Sequence, residues 1–425
     1  MRKQTQSAQE RFQSVLAGLD NVYHDVESLY LYLHQNPELS MQEHETATKV
    51  ADWLRQAGYD VTTGVGKTGV VGLLRNGQGP TVMLRGDMDA LPIKEKTNLP
   101  YASKKVVTNS EGEEVPVMHA CGHDLHTSCL VGTASLLQQS LHAWRGTVMI
   151  VAQPGEETMT GAKEMLKDGL FTRFPRPDVA IAQHTNPLPV GTIGYHIGDT
   201  MTSVVNMKIT IFGKGGHGSR PQNCVDPVLI AAAIVMRLQT IVAREVPPND
   251  TAIITVGSIH SGTSYNIIPD TATLQLTVRA YTKEIREHIL EAIRRIVKAE
   301  AEASHAPKEP DIEIVEFGET LHNDREPLER IVEALKPFFG EQHVMETPPM
   351  EASEDFSFFG HVPDGAGIPS AYYFLGVTNK QLYAEKGIDN VPEPHSPYYA
   401  PDREPALKAG VQALTVAALA MLGAP

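Results

Sequence analysis

The sequence predicts an α/β protein: a mixed-sheet α/β domain interrupted by an inserted ferredoxin-like α+β module. Three observations carry this reading. The first 200 residues alternate short apolar runs with helix-periodic segments, the pattern of a sheet covered by helices. Near residue 200 the order changes to β-α-β-β-α-β, a self-contained module. After residue 318 the helix–strand alternation returns. One domain is therefore discontinuous, spanning 1–200 and 319–425, with the module at 201–318 set into it. A chain of 425 residues is also longer than one ordinary core accommodates.

Taken in order, 22–33 and 43–57 have helical apolar spacing, and Ser40 followed by Glu43 reads as a capping box opening the second helix. Short apolar runs at 69–74 and 81–86, bounded by Gly, Pro or Asn, read as strands. A helix is expected from about 124 to 140, a strand at 146–153, a helix at 161–169 and a buried strand at 179–183. In the module, 203–212 alternates as a strand and 213–218 is a glycine-rich polar loop. A helix at 226–245 opens on Asp226-Pro227, strands follow at 251–260 and 271–280, then a helix at 283–305 and a strand at 311–317. The last segment adds a helix at 328–339, a strand at 371–376 and a helix at 404–422.

Composition excludes several classes of partner. A formal net charge of −15 disfavours nucleic acid and anionic membranes. The N-terminal stretch 1–28 is polar and helical in character, with no signal-type apolar core, and the apolar runs 228–236 and 410–422 are too short or too interrupted to span a bilayer. Cys121, Cys129 and Cys224 are too few, and odd in number, for a disulfide framework, which points to a reducing compartment, the cytoplasm.

The chemistry concentrates in two places. Residues 118–126 read Met-His-Ala-Cys-Gly-His-Asp-Leu-His, and Gln153-Pro154-Gly155-Glu156-Glu157 follows a predicted strand. Thiolate and imidazole suit borderline-soft divalent metals. Two adjacent carboxylates suit metal-assisted hydrolysis, in which one holds metal and the other takes the proton of water. Asp87, Asp89, Glu156, Glu157 and His184 all fall just past predicted strands, where loops converge in open α/β sheets. A lone buried His184 or Cys121 would read as a core residue, and His126 reads as packing or as support for His123.

In this order the chain also carries His34-Gln35-Asn36-Pro37-Glu38-Leu39-Ser40, Arg85-Gly86-Asp87-Met88-Asp89-Ala90-Leu91-Pro92, Asn266-Ile267-Ile268-Pro269-Asp270, Ser353-Glu354-Asp355-Phe356-Ser357 and His395-Ser396-Pro397. From about Leu33 onward it resembles the M20 metallopeptidases, and within them the M20D amidohydrolases: hippurate hydrolases, N-acyl-amino-acid amidohydrolases and auxin–amino-acid hydrolases. The resemblance implies metal ligands at Cys121, His123, Glu157, His184 and His395, and a catalytic carboxylate at Glu156. Five ligands exceed one tetrahedral shell and fit two divalent transition metals, Mn, Zn, Co or Ni. Asp87 and Asp89 resemble acids that support the metal site. His217 matches a histidine of the inserted domain that helps bind the scissile carbonyl, and Asn266 and Arg279 match positions tied to substrate recognition.

The implied reaction is hydrolysis of the amide bond of a small N-acyl or aroyl amino acid. The implied assembly is a homodimer or larger, joined through an edge strand near 203–212 and the helix 226–245 of a mobile lid. Two alternatives are a di- or tripeptidase or carboxypeptidase on the same scaffold, and a non-catalytic metal- or metabolite-binding protein. Relatives of the first kind usually carry His-x-Asp where Asp87-Met88-Asp89 stands; the second predicts loss of Glu156, which is present. Three departures bear on substrate choice: Gly155 replaces a common Ala, Met159-Thr160 replaces glycine-rich sequence, and 104–116 is longer than the usual link, with Ser110–Glu113 as a hairpin tip.

Overall fold

The computed structural model describes residues 7–109, 111–362 and 367–425. The chain forms two compact units. The first comprises the described residues of Met1–Gly198, His322–Pro348 and Phe358–Pro425; the second comprises Asp199–Leu321 and Pro349–Ser357.

The first unit is built on an eight-stranded sheet in the order Asp60–Val65, Gly69–Asn76, Gly146–Gln153, Thr81–Asp87, Val179–Pro189, Ser370–Thr378, Ile193–Tyr195, Val344–Glu346. Its four middle strands from Gly146–Gln153 to Ser370–Thr378 run parallel, and antiparallel pairings flank them on both sides, so the sheet is mixed. Near-continuous apolar runs such as Val-Met-Ile-Val-Ala in 146–153 follow from burial on both faces. The helices His123–Gln139 and Arg403–Met421 are buried nearly all round because they lie between the sheet and further helices. Parallel pairing brings the C-terminal ends of three strands together: Asp87 is in register with Gln153, and Arg85 with Ala182. Chemistry gathers at that edge.

The expected helix near 43–57 begins at His44. Glu43 is its N-cap residue but makes no side-chain cap bond, so the predicted capping box is not formed. Ser7 and Glu10 do form one, at the start of the helix Ala8–Leu16; residues 1–6 lie outside the described residues. The strand Asp60–Val65, whose burial does not alternate cleanly, gave no signal in sequence. Val106–Thr108 and Glu114–Pro116 pair antiparallel, as the hairpin reading of 104–116 requires, although Ser110 at its tip lies outside the described residues.

The second unit is a four-stranded antiparallel sheet in the order Ala252–Ser261, Thr271–Ala280, Ser203–Phe212, Asp311–Gly318, with the helices Pro227–Arg244 and Lys283–Ala303 contributing to its core. Numbered along the chain this is 2-3-1-4, the ferredoxin-like order. It corrects one expectation: Ser203–Phe212 is a central strand, and the edges are Ala252–Ser261 and Asp311–Gly318. The crossover helix carries the chain past the first strand, so both neighbours of that strand come from later in the sequence. Pro349–Ser357, expected to stay with the first unit, joins the second because residues 200–202 and 350–353 are stitched together. Met350 N–H donates to Thr200 O at 2.8 Å, Thr202 N–H to Ala352 O at 2.9 Å and Ser353 Oγ to Thr202 O at 2.9 Å. Pro227–Arg244 is long and apolar enough to cross a membrane by composition. Its Ile230, Ala231, Ile234, Leu238 and Ile241 recur at helical spacing and pack into the core of its own unit.

Candidate metal centre and active site

Within the first unit, Cys121, His123, Glu156, Glu157, His184 and His395 converge. The ligand atoms of Cys121, His123 and His184, those of Cys121, Glu157 and His395, and those of His123, Glu156 and Glu157 each lie within 4.8 Å of one another. These interlocking sets share Cys121, His123 and Glu157, which is the arrangement two neighbouring cations would require. Cys121 Sγ stands 3.4 Å from His184 Nε2, and Glu157 Oε2 stands 3.3 Å from His395 Nε2. His123 Nε2 is 3.8 Å from a carboxylate oxygen of each glutamate.

The backbone explains the convergence. Gly122 adopts φ 80°, and a Cβ there would lie 2.6 Å from Thr185 Oγ1; glycine lets the chain turn between Cys121 and the helix that begins at His123. Thr185 Oγ1 donates to Cys121 O at 3.0 Å and ties this turn to the strand that carries His184. Gly155, at φ 59°, opens the turn Glu156–Thr158, and Met159 closes it at φ 53°. A left-handed Met159 is costly, which accounts for glycine-rich sequence being suited to this position. His395 is held by its own N–H, donated to Ala120 O at 2.8 Å.

Hydrogen bonds fix which ring nitrogens face the centre. His123 Nδ1 donates to Asp89 Oδ1 at 3.1 Å, leaving Nε2 with a lone pair. His184 Nδ1 donates to Thr185 O at 2.7 Å, again leaving Nε2. His126 differs. Its Nε2 accepts the Thr185 N–H at 2.8 Å and its Nδ1 donates to Asp87 Oδ1 at 2.6 Å, so both nitrogens are spent although the ring lies close to His123. Although its ring joins Asp87 and His123 in a further cluster of potential ligand atoms, His126 is therefore placed to support the centre. Asp87 is engaged by His126 and by the buried Arg85, whose Nε also donates to Gln153 Oε1 at 2.9 Å. His119 belongs to none of these sets, and burial depresses its ring to about 4.

The residues fit a metal centre on two grounds. His123 Nε2 and Glu157 Oε1 are buried and make no hydrogen bond, a costly state for polar atoms unless a cation completes them. The local field is strongly anionic. Burial works against a charged His123, but Asp87 and Asp89 outweigh it and hold its pKa well above the usual imidazole range, so a cation binding at Nε2 would displace a proton there. Burial and Glu157 push the Cys121 thiol up, so a cation is what would make it a thiolate. Burial, with the neighbouring His126, keeps His184 neutral, as a ligand must be.

Behind the site stand Asp89, one of the expected supporting acids, and two residues that sequence reasoning did not place there, Glu43 and His34. Asp89 is fully buried; its Oδ2 accepts the Glu157 N–H at 3.0 Å and Ser40 Oγ at 2.7 Å. Glu43 touches the turn that carries the glutamates through Gly155. His34 bridges Asp124 at 2.7 Å and Glu95 at 3.2 Å directly beside the ligand segment. Polar residues buried in 34–43, a motif already singled out, were the available signal.

The remaining expected residues lie in the second unit. His217 and Asn266 are neighbours there: Gly216–His217 pairs with Ile267–Ile268, and Gly218 N–H donates to Asn266 O at 2.8 Å. His217 Nδ1 accepts from Ser219 N–H at 3.1 Å and is 2.7 Å from Ser219 Oγ, so its proton sits on Nε2. Both side chains are exposed. Arg279 is engaged within its own unit, donating from Nη1 to Glu351 O at 2.7 Å and Ser353 Oγ at 3.0 Å.

A centre of this composition, at the C-terminal edge of a mixed α/β sheet, defines a metallohydrolase. The chain belongs to peptidase family M20/M25/M40, whose sequence model matches residues 83–420, and is a hydrolase of C–N bonds. It is 40% identical over 343 residues to the hippurate hydrolase of Campylobacter jejuni, covering 79% of this chain and 85% of that protein. It is 35% identical over 353 residues to an N-acetylcysteine deacetylase of Bacillus subtilis, covering 82% and 87%. Among solved structures, it superposes with a TM-score of 0.75 and 30% identity on a dinuclear metal-binding peptidase of the M20 family from Bacillus subtilis, covering 95% of this chain and 99% of that one.

Proposed function

We propose that this chain hydrolyses the amide bond of N-acyl amino acids, with Glu156 as the proton-transferring carboxylate beside two divalent transition metals. Cys121, His123, Glu157, His184 and His395 would hold the metals, and the mixed thiolate, imidazole and carboxylate set suits Mn, Zn, Co or Ni. The observation that carries the reading is the unequal condition of the adjacent glutamates. Glu157 faces His395 with one oxygen, leaves the other without a hydrogen bond and is tied by its N–H to Asp89, the state of a ligand. Glu156, 7% exposed and, like Glu157, 3.8 Å from His123 Nε2, is the neighbouring carboxylate that would transfer the proton. The names of the relatives, a hippurate hydrolase and an N-acetylcysteine deacetylase, support an acylated amino acid as substrate.

When bound, the metals supply Lewis-acid polarisation of the carbonyl and acidify water. Glu156 takes the proton of the attacking water on a carboxylate oxygen and returns it to the leaving nitrogen. Glu157 would be a poor base with its oxygens committed to metal. His217, with its proton on Nε2, is suited to donate to the developing oxyanion from a unit that would act as a lid. Asn266, beside it on the same ladder, would contact substrate. Asp87 contributes no ligand because Arg85 and His126 occupy it, which favours an amidohydrolase over a peptidase with His-x-Asp at this point.

Exposed Leu229, Met236, Val228 and Val242 on the helix Pro227–Arg244, with the neighbouring edge strand Ala252–Ser261, support a homodimer or larger assembly. Free cysteines support a reducing compartment, the cytoplasm. The test is a panel of N-acetyl-, N-benzoyl- and indoleacetyl-amino acids, alongside dipeptides, assayed for released amino acid with metal-loaded protein. Cleavage of dipeptides alone would refute the substrate class, and full turnover by metal-free protein would refute the chemistry.

A further inference from the structure

Ser40 and Glu43 have the sequence of a helix cap and are not used as one. Glu43 is fully buried, and its carboxylate joins three segments. Oε1 accepts the Met41 N–H at 2.7 Å and the Gly155 N–H at 2.9 Å, while Oε2 accepts Thr68 Oγ1 at 2.6 Å. Gly155 immediately precedes Glu156. A Cβ at Gly155 would lie 2.5 Å from Met41 Sδ, so the 40–43 turn grips this residue twice, by its N–H and against its Cα. Ser40, at the other end of the same turn, holds Asp89, and Asp89 holds the Glu157 N–H. Burial and the neighbouring Asp89 push the Glu43 carboxyl up to about 7, against the pull of its hydrogen bonds. A helix cap could be had at the surface without burying an acid.

We infer that Glu43 is a positioning residue for Glu156: by anchoring the Gly155 peptide it sets the direction in which the Glu156 side chain leaves the backbone. The adjacent glutamates then have separate supports, Glu43 behind the proton-transferring one and Asp89 behind the metal-binding one. The inference rests on the reading of Glu156 as the base.

A double-mutant cycle in metal-loaded, full-length protein tests it. Glu43→Met fills the same space without an acceptor, and is expected to keep full metal content while kcat falls about 10–100-fold, the usual cost of losing such a supporting bond, with KM little changed. Glu43→Gln can accept both N–H groups through Oε1 and donate to a rotated Thr68 hydroxyl, so it is expected to restore most of the turnover. In a Glu156→Gln background, Glu43→Met should lower the residual rate no further, because both changes disable one function. Wild-type kcat in Glu43→Met overturns the inference. So does an equal loss in the Glu156→Gln background, a loss that follows metal content, or a Glu43→Gln variant as slow as Glu43→Met. If Glu43→Met does not fold, Glu43→Asp, one methylene short of Gly155, is read by the same criteria. Near-normal turnover of Glu156→Gln alone would instead sink the reading of the base, independently of Glu43.

Discussion

Asp89→Asn should separate the geometry of the centre from its composition. The Asp89 carboxylate accepts three hydrogen bonds, from His123 Nδ1 at 3.1 Å, Glu157 N–H at 3.0 Å and Ser40 Oγ at 2.7 Å, the last two on the same oxygen. An amide has one acceptor atom. If that oxygen stays with Glu157 and Ser40, the new NH₂ faces His123 Nδ1, and the ring must move its proton to Nε2, the atom that would face the metals. If the amide turns over, the NH₂ opposes the Glu157 N–H, a donor that cannot rotate away. Either orientation loses at least one charge-assisted bond, about 1.5–3 kcal/mol. Expressed as ligand preorganisation, that is about 10–100-fold in metal affinity. Chelator-competition titration of the metal-free protein measures it, with circular dichroism confirming the fold. A folded Asp89→Asn protein with wild-type metal affinity would refute the claim that this carboxylate sets the His123 tautomer and the Glu157 backbone.

Other outcomes follow from the same geometry. Glu156→Gln should retain metal and lose about 10²–10⁴-fold in kcat, whereas Glu157→Gln should lose metal first; elemental analysis beside kinetics distinguishes them. His217→Ala should reduce kcat with metal content and fold unchanged, and undiminished turnover would make it a loop residue only. His34 links pH to stability. Burial opposes its charge, but Asp124 and Glu95 outweigh this and lift it to about 9. A raised pKa stabilises the fold fully below the ordinary imidazole value and loses that effect as pH climbs through 9, an amplitude of about 3 kcal/mol. Trp53 and Trp144, the two tryptophans, both lie in the first unit, so their fluorescence reads its denaturant midpoint. That midpoint should fall between neutral pH and pH 9.5 in wild type and much less in His34→Gln.

Of the proposed ligands, Cys121 and His123 stood out because they crowd one segment, 119–126, and Glu157 because it follows a strand whose apolar run is unmistakable, whereas His184 and His395 were reached only through the family resemblance. His126 was set apart from His123 as packing or support, but the physical reason was not legible: the two differ in the partner of one ring nitrogen, and that partner, Thr185, is 59 residues from His126. Ser40 and Glu43 misled for a related reason. A capping box is a local pattern, and here the same side chains satisfy donors on Gly155 and an acceptor on Asp89 instead of their own helix. The βαββαβ order was legible, but the central position of Ser203–Phe212 depends on where the crossovers return, which hydrophobic period does not encode. Arg279 could be read as a fork for substrate; its Nη1 is occupied by Glu351 and Ser353, whose membership in the second unit no local signal announced.

The interleaving of the two units orders events on the ribosome. Every strand of the second unit's sheet has been synthesised by Gly318, while the first unit still lacks Ser370–Thr378, at the middle of its sheet, and Arg403–Met421, which packs on the helix of His123. The inserted unit should therefore be first to resist protease on stalled nascent chains, although its Pro349–Ser357 segment arrives later. Cys121, His123, Glu156, Glu157 and His184 emerge early and wait, unshielded, for His395 and the closing helix. On this reading metal capture would be a late step of biosynthesis, and a chain terminated before 395 would carry most of the proposed ligands without a centre to hold them in.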